Sequence, residues 1–122
     1  MNTLFVAVLS IVLSVIAQFA LKAGMSSADV KYAMAQPLAL RTVFTVLSNT
    51  FVLSGFVLYG IGAIVWLGVL SKWDVSKAYP LVGLGFALSV VVGLLTGEQI
   101  SVFRILGVML ICIGVWVIAL NP

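Results

Sequence analysis

Histidine is absent from this chain, cysteine occurs once, and charged residues make up 7% of its 122 positions. Each shortage excludes something. Without histidine the chain lacks the commonest metal ligand and the side chain that titrates near neutral pH. The lone Cys112 rules out an intrachain disulfide and is expected to serve as a small hydrophobe in helix packing. Six basic and three acidic residues cannot clothe a water-facing surface, since soluble domains are about 25% charged. With 64% of residues hydrophobic, the solvent of this chain must be lipid. The net charge of +3 describes loops at a membrane surface and offers no nucleic-acid face. The sequence has no nucleotide-binding loop, no metal-ligand cluster and no nucleophile with a visible base. Neither a cofactor nor an enzymatic activity is expected.

What is present is arranged in blocks. The charges gather in three stretches: Lys22, Asp29, Lys31 and Arg41; Lys72, Asp74 and Lys77; Glu98 and Arg104. Between them Met1–Leu21, Thr42–Ser71, Ala78–Gly97 and Ile105–Pro122 carry no charge. A charge at a bilayer centre costs roughly 2.5–3.5 kcal/mol on insertion scales, so such runs read as membrane spans. The expected fold is an all-α membrane protein forming one domain. Its four transmembrane helices lie at about 3–22, 50–71, 78–96 and 104–120. The opening run is long and has no Lys or Arg before it, unlike a signal peptide, and the first span is expected to be retained. Four cations in the first and third connections against two in the second favour those connections inside and both termini outside.

Residues 38–48 differ from the spans. Arg41, Thr42, Thr45, Ser48 and Asn49 have helical spacing, with Leu40, Val43, Phe44, Val46 and Leu47 on the other side. This predicts a short amphipathic helix at the membrane surface, with Pro37 near its start. A single helix from Thr42 to Ser71 would reach about 45 Å, beyond the roughly 30 Å core, so a break near Asn49 is expected. The stretch Ala23–Pro37 reads as a loop. Short connections at Lys72–Lys77 and Gly97–Phe103 predict tight antiparallel hairpins. Pro80 falls in the first turn of the third span, where its missing N–H matters little. Gly83 and Gly85 then provide either a hinge or close packing.

The first span carries a polar stripe without a carboxylate: Ser10, Ser14, Gln18 and Lys22, every fourth residue. Each step advances about 40° past a full turn, so the four wind slowly along one face. Hydroxyls, an amide and an ammonium suit a ligand bearing an anion and hydroxyls, and the groove they line is expected to hold no acid. On the second span Gly55, Tyr59, Gly62 and Trp66 share a face that serves either helix packing or stacking on a sugar. Gly107 and Gly114 on the fourth span, one heptad apart, resemble a helix–helix seam.

These residues support a comparison with known families. Gly107-Val108-Met109-Leu110-Ile111-Cys112-Ile113-Gly114-Val115 resembles the last span of small multidrug resistance transporters. They are the four-helix branch of the drug/metabolite transporter superfamily, in which this helix mediates dimerisation. Those transporters carry a glutamate in an Ala-Glu-Val-Ile pattern where this chain has Leu13-Ser14-Val15-Ile16. Ser14 cannot exchange a proton for a cationic drug. The flippase subunits for undecaprenyl-phosphate-linked aminoarabinose are more similar. They share Leu13-Ser14-Val15, Gln18 and Lys22 in the first span. Trp66-Leu67, Val69-Leu70, Val75 and Ala78-Tyr79-Pro80 match in the second and third, and Glu98 and Ser101 before the fourth. The likeness covers most of the chain outside residues 25–48. It departs at Gly83-Leu84-Gly85, where that branch is bulkier, and at Arg104, one position from the family's basic residue.

The resemblance implies a multi-pass flippase of the bacterial inner membrane. It would move a polyprenyl-phosphate-linked monosaccharide for envelope glycan or lipid A modification. Within that expectation Lys22 meets the phosphate or snorkels to the interface. Ser14 and Gln18 line the path, and Tyr59, Trp66 and Tyr79 stack on the sugar. Lys77 and Arg104, on opposite membrane faces, either guide the head group or anchor the chain. Glu98 pairs with Arg104, caps a helix or meets an amino sugar. Four helices enclose little volume, so a homodimer or a heterodimer with a similar four-helix subunit is expected, with Gly107 and Gly114 at the seam. Two other readings compete: a multidrug-type exporter of cations or small metabolites, and a non-transporting membrane subunit. The exporter requires an acid within the membrane.

Overall fold

In lipid a backbone must satisfy its own polar groups, and the chain does so through helices joined by short turns. The computed structural model describes residues 2–120. In order come α1 (Thr3–Met25), α2 (Ala28–Ala35), α3 (Leu40–Ser48), α4 (Thr50–Leu70), α5 (Val75–Ala78), a 3₁₀ turn (Tyr79–Val82), α6 (Gly83–Leu95) and α7 (Val102–Ala119). Among the described residues four stretches are long and apolar enough to cross a membrane: α1, α4, the run Val75–Leu95, and α7. The chain is thus a multi-pass all-α membrane protein with short helices between its first and second spans.

Two local expectations need correction. The stretch read as a loop contains α2, eight residues rich in alanine with Asp29 in the first turn. Its length gives the sequence no periodic stripe to display, and Val30, fully buried, secures it. The third span does not open at Tyr79-Pro80. It opens at Val75 and is interrupted there, because Pro80 has no N–H to donate to the preceding turn. The backbone tightens into 3₁₀ geometry from Tyr79 to Val82 before α6 resumes.

The expected break at Asn49 has a visible cause. Asn49 leaves helical geometry (φ −67°, ψ 128°) and its Oδ1 accepts from the N–H groups of Phe51 and Val52, at 3.0 and 3.2 Å. Its Nδ2 donates to Ser27 Oγ at 3.1 Å, and Ser27 Oγ donates to the Gly24 carbonyl. One side chain therefore starts α4 and ties it to the end of α1 and the start of α2.

The spans stand in a row. α1 packs most extensively on α4, then on α6, and α7 packs on α6 and the 3₁₀ turn. α1 and α4 run antiparallel on small residues. Gly55 lies against Leu21 and Ala17, and Gly62 lies against Leu13 and Ser10. Ala7 and Ala17 are fully buried. Ser10 Oγ donates to the Gly62 carbonyl at 2.7 Å, a buried bond across the seam. With α1 in the middle and α4 and α6 on either side of it, the row forms a trough whose floor is α1.

Candidate functional site

The floor of the trough presents Ser14, Gln18 and Lys22 from successive turns of α1. They line one cavity of about 330 Å³ with Tyr59 of α4, Val82, Gly85, Phe86 and Ser89 on the third span, and Glu98. Gly85 faces Ile11 and Val15 of α1 closely, which sets the width of the trough on that side. A second cavity of about 350 Å³ continues it toward the other membrane face, lined by Ser10, Ser14, Tyr59, Trp66, Tyr79 and Val82. Ser14, Tyr59 and Val82 line both, so the two form a single path along α1.

Gln18 Nε2 donates to Tyr59 Oη at 3.4 Å, a long bond that links floor and wall. Ser14 Oγ donates to the Ile11 carbonyl in its own helix, which leaves its lone pairs toward the cavity. Ser89 Oγ similarly donates to the Phe86 carbonyl. The Lys22 ammonium stands at the wide end, in the last turn of α1, where the helix dipole favours a cation.

Glu98 reaches this cavity through the end of α6. Gly97 adopts φ +90°. The Glu98 N–H then donates to the Gly93 carbonyl at 2.8 Å, and the Gly97 N–H to the Leu94 carbonyl at 3.3 Å. This pair of bonds is the Schellman closure of a helix. It turns the Glu98 side chain back over α6, with its carboxylate across the bare Cα of Gly93. The expectation of an acid-free groove is therefore corrected: the floor has none, but the wide end has one. The expected pairing of Glu98 with Arg104 is also corrected, because the Arg104 guanidinium donates to the Gln99 carbonyl at 3.3 Å.

Of the residues singled out in the sequence, Ser14, Gln18, Lys22, Tyr59 and Glu98 come together, and Trp66 and Tyr79 line the adjoining cavity. Lys77 does not join them. Its ammonium lies 4.4 Å from the centre of the Trp73 ring, and it borders a separate cavity of about 200 Å³ with Leu4 and Pro80 at the far membrane face. Arg104 lies outside the trough. Gly107 and Gly114 lie on α7 with open space beside them. Ser89 and Phe86 were missed. Ser89 is the one hydroxyl within α6, a signal available in the sequence.

No family model matches the chain, and no solved structure matches it. Over 58 residues, 47% of its length, the chain is 43% identical to a protein of Pseudomonas savastanoi pv. phaseolicola named probable 4-amino-4-deoxy-L-arabinose-phosphoundecaprenol flippase subunit ArnE, covering 51% of it. A protein of the same name from Pseudomonas syringae pv. syringae is 40% identical over 58 residues, 54% of its length. The chain spans about half the length of the curated relatives it matches. Direct comparison thus finds the resemblance to flippase subunits, over 58 residues and not over most of the chain as the short motifs suggest.

Proposed function

We propose that this chain is a transport subunit, not an enzyme, and that it flips a polyprenyl phosphate bearing one sugar across the bacterial inner membrane. The lipid tail never leaves the bilayer. Only the phosphate and sugar must cross, and their desolvation is the barrier. The observation that carries the reading is the alignment of Ser14, Gln18 and Lys22 on the floor of an open trough. Lys22 offsets the phosphate charge at the wide end. Gln18 and Ser14 replace part of the head-group hydration, and Tyr59, Trp66 and Tyr79 offer aromatic faces to the sugar. The similarity to proteins named as flippase subunits supports the same substrate class. A second four-helix subunit, identical or similar, completes the path. It docks on the face of α7 that carries Gly107 and Gly114, where nothing of this chain intrudes.

Lys22→Ala is expected to reduce transfer of labelled glycolipid across reconstituted vesicles at least tenfold, with helix content unchanged by circular dichroism. Full activity in that variant removes Lys22 from the mechanism.

One observation favours a second reading, export of a cation driven by protons: Glu98 brings an acid to the groove. In that case Glu98→Gln abolishes uptake of a lipophilic cation into acid-loaded vesicles, and Lys22→Ala leaves it intact.

A further inference from the structure

The end of α6 is a poor place for an acid. The C-terminus of a helix carries a partial negative charge, so a carboxylate beside it meets repulsion where a cation would be welcome. The Schellman turn nevertheless folds Glu98 back onto that terminus, with Oε1 3.0 Å from the position a Cβ on Gly93 would occupy. The nearest chain cation on the same connection, Arg104, turns to the Gln99 carbonyl instead. The helix end and the carboxylate together make a site for a positive group supplied from outside the chain. That site opens on the same cavity as Lys22, which is large enough at about 330 Å³ for a small head group. A ligand that satisfies both ends carries an anion and a cation separated by a polar body.

We propose that Glu98 is the specificity-determining residue of the trough: its carboxylate receives the ammonium of an amino-sugar head group whose phosphate is held by Lys22. The proposal rests on the reading of the trough as a path for sugar-bearing polyprenyl phosphates. It goes further in stating which residue tells a cationic sugar from a neutral one, and why. A neutral or N-acylated sugar offers the exposed carboxylate no charge-assisted hydrogen bond, so the amino form alone gains that contact.

The test uses the full chain in nanodiscs and two short-chain polyprenyl phosphates, one carrying an amino pentose and the other the same sugar with its amine acetylated. The wild-type protein is expected to bind the amino form about tenfold more tightly, the scale of one charge-assisted hydrogen bond. Glu98→Gln should bring the ratio to about one, and Glu98→Asp should restore part of it. Gly93→Ala keeps the acid but pushes a methyl group against the carboxylate, so the ratio should fall in a protein that folds normally. A wild-type ratio of one overturns the proposal, as does a tenfold ratio that survives Glu98→Gln. If both lipids bind and Lys22→Ala weakens both, either result leaves the broader reading standing. Failure of the wild-type protein to bind either lipid overturns the broader reading and the proposal with it. Tetraphenylphosphonium binding as tightly as the amino lipid, with no response to Lys22→Ala, overturns both in favour of cation export.

Discussion

α4 and α7 each carry a pair of glycines seven residues apart, Gly55 and Gly62 among the four of α4 and Gly107 and Gly114 on α7, and the surroundings of the two pairs are opposite. A Cβ on Gly55 would come within 2.7 Å of Leu21 and 3.0 Å of the Ala17 carbonyl oxygen, whereas Gly107 and Gly114 have nothing within 4 Å. The first pair lies in a filled seam. The second lies on a face that this chain leaves uncovered. In a bilayer, lipid tails are as apolar as leucine, so helices associate where small residues allow close contact. Spacing alone marks a helix able to accept a neighbour; only the fold reveals whether the neighbour belongs to the same chain. The α1–α4 pair is the scaffold, and α7 stands at the edge of the row with a contact face to spare.

The largest effect on stability is expected where the seam is tightest. A Cβ on Gly24 would meet Val52 Cγ2 at 2.5 Å, Asn49 Oδ1 at 2.6 Å and the Val52 backbone nitrogen at 2.7 Å. The backbone nitrogen cannot yield without moving the start of α4, so Gly24→Ala should cost about 2 kcal/mol, within the usual range for overpacking. Unfolding of the purified protein in detergent measures this directly. A change under about 0.5 kcal/mol would mean that α1 and α4 are not held by close approach. Asn49→Ala comes next. It removes two bonds to the N-terminus of α4 and one to Ser27, and a lost N-cap costs about 1 kcal/mol. Ser10→Ala deletes the hydroxyl bond to Gly62 and should cost about 0.6 kcal/mol, the average for hydrogen bonds between helices in membranes.

Ser10 also shows where the sequence stops being informative. The every-fourth-residue stripe found the floor of the trough at Ser14, Gln18 and Lys22. Three steps of about 40° amount to a rotation of about 120° between Ser10 and Lys22. That rotation turns the Ser10 hydroxyl toward α4, although the residue still borders the upper cavity. Charge-free runs made the spans legible, because lipid penalises charge wherever it falls. The break at Asn49 was legible because one helix across it would overshoot the bilayer. α2 was not, since eight residues cannot display a stripe. The orientation of Glu98 depends on a positive φ at Gly97 and a missing Cβ at Gly93, neither of which a hydropathy pattern records. For Lys77 and Arg104 the sequence leaves two roles open, guiding a head group or anchoring the chain, and each takes a local partner outside the trough, the Trp73 ring and the Gln99 carbonyl.

The smallest effect on folding should come from α7, where it is the most informative about assembly. Replacing both Gly107 and Gly114 with alanine adds two methyl groups to open space. Each change improves helix propensity by up to about 1 kcal/mol in water, so the isolated chain should unfold no more readily than the wild type. Self-association, followed by fluorescence energy transfer between labelled chains on dilution in liposomes, should weaken about tenfold if α7 receives a second four-helix subunit, because added methyl groups hold two backbones apart. The two readouts separate causes that a single measurement would merge. With folding preserved, a loss of association must arise from a surface outside this chain. Unchanged association would mean that the face of α7 is solvated by lipid, leaving the trough to be completed from another side.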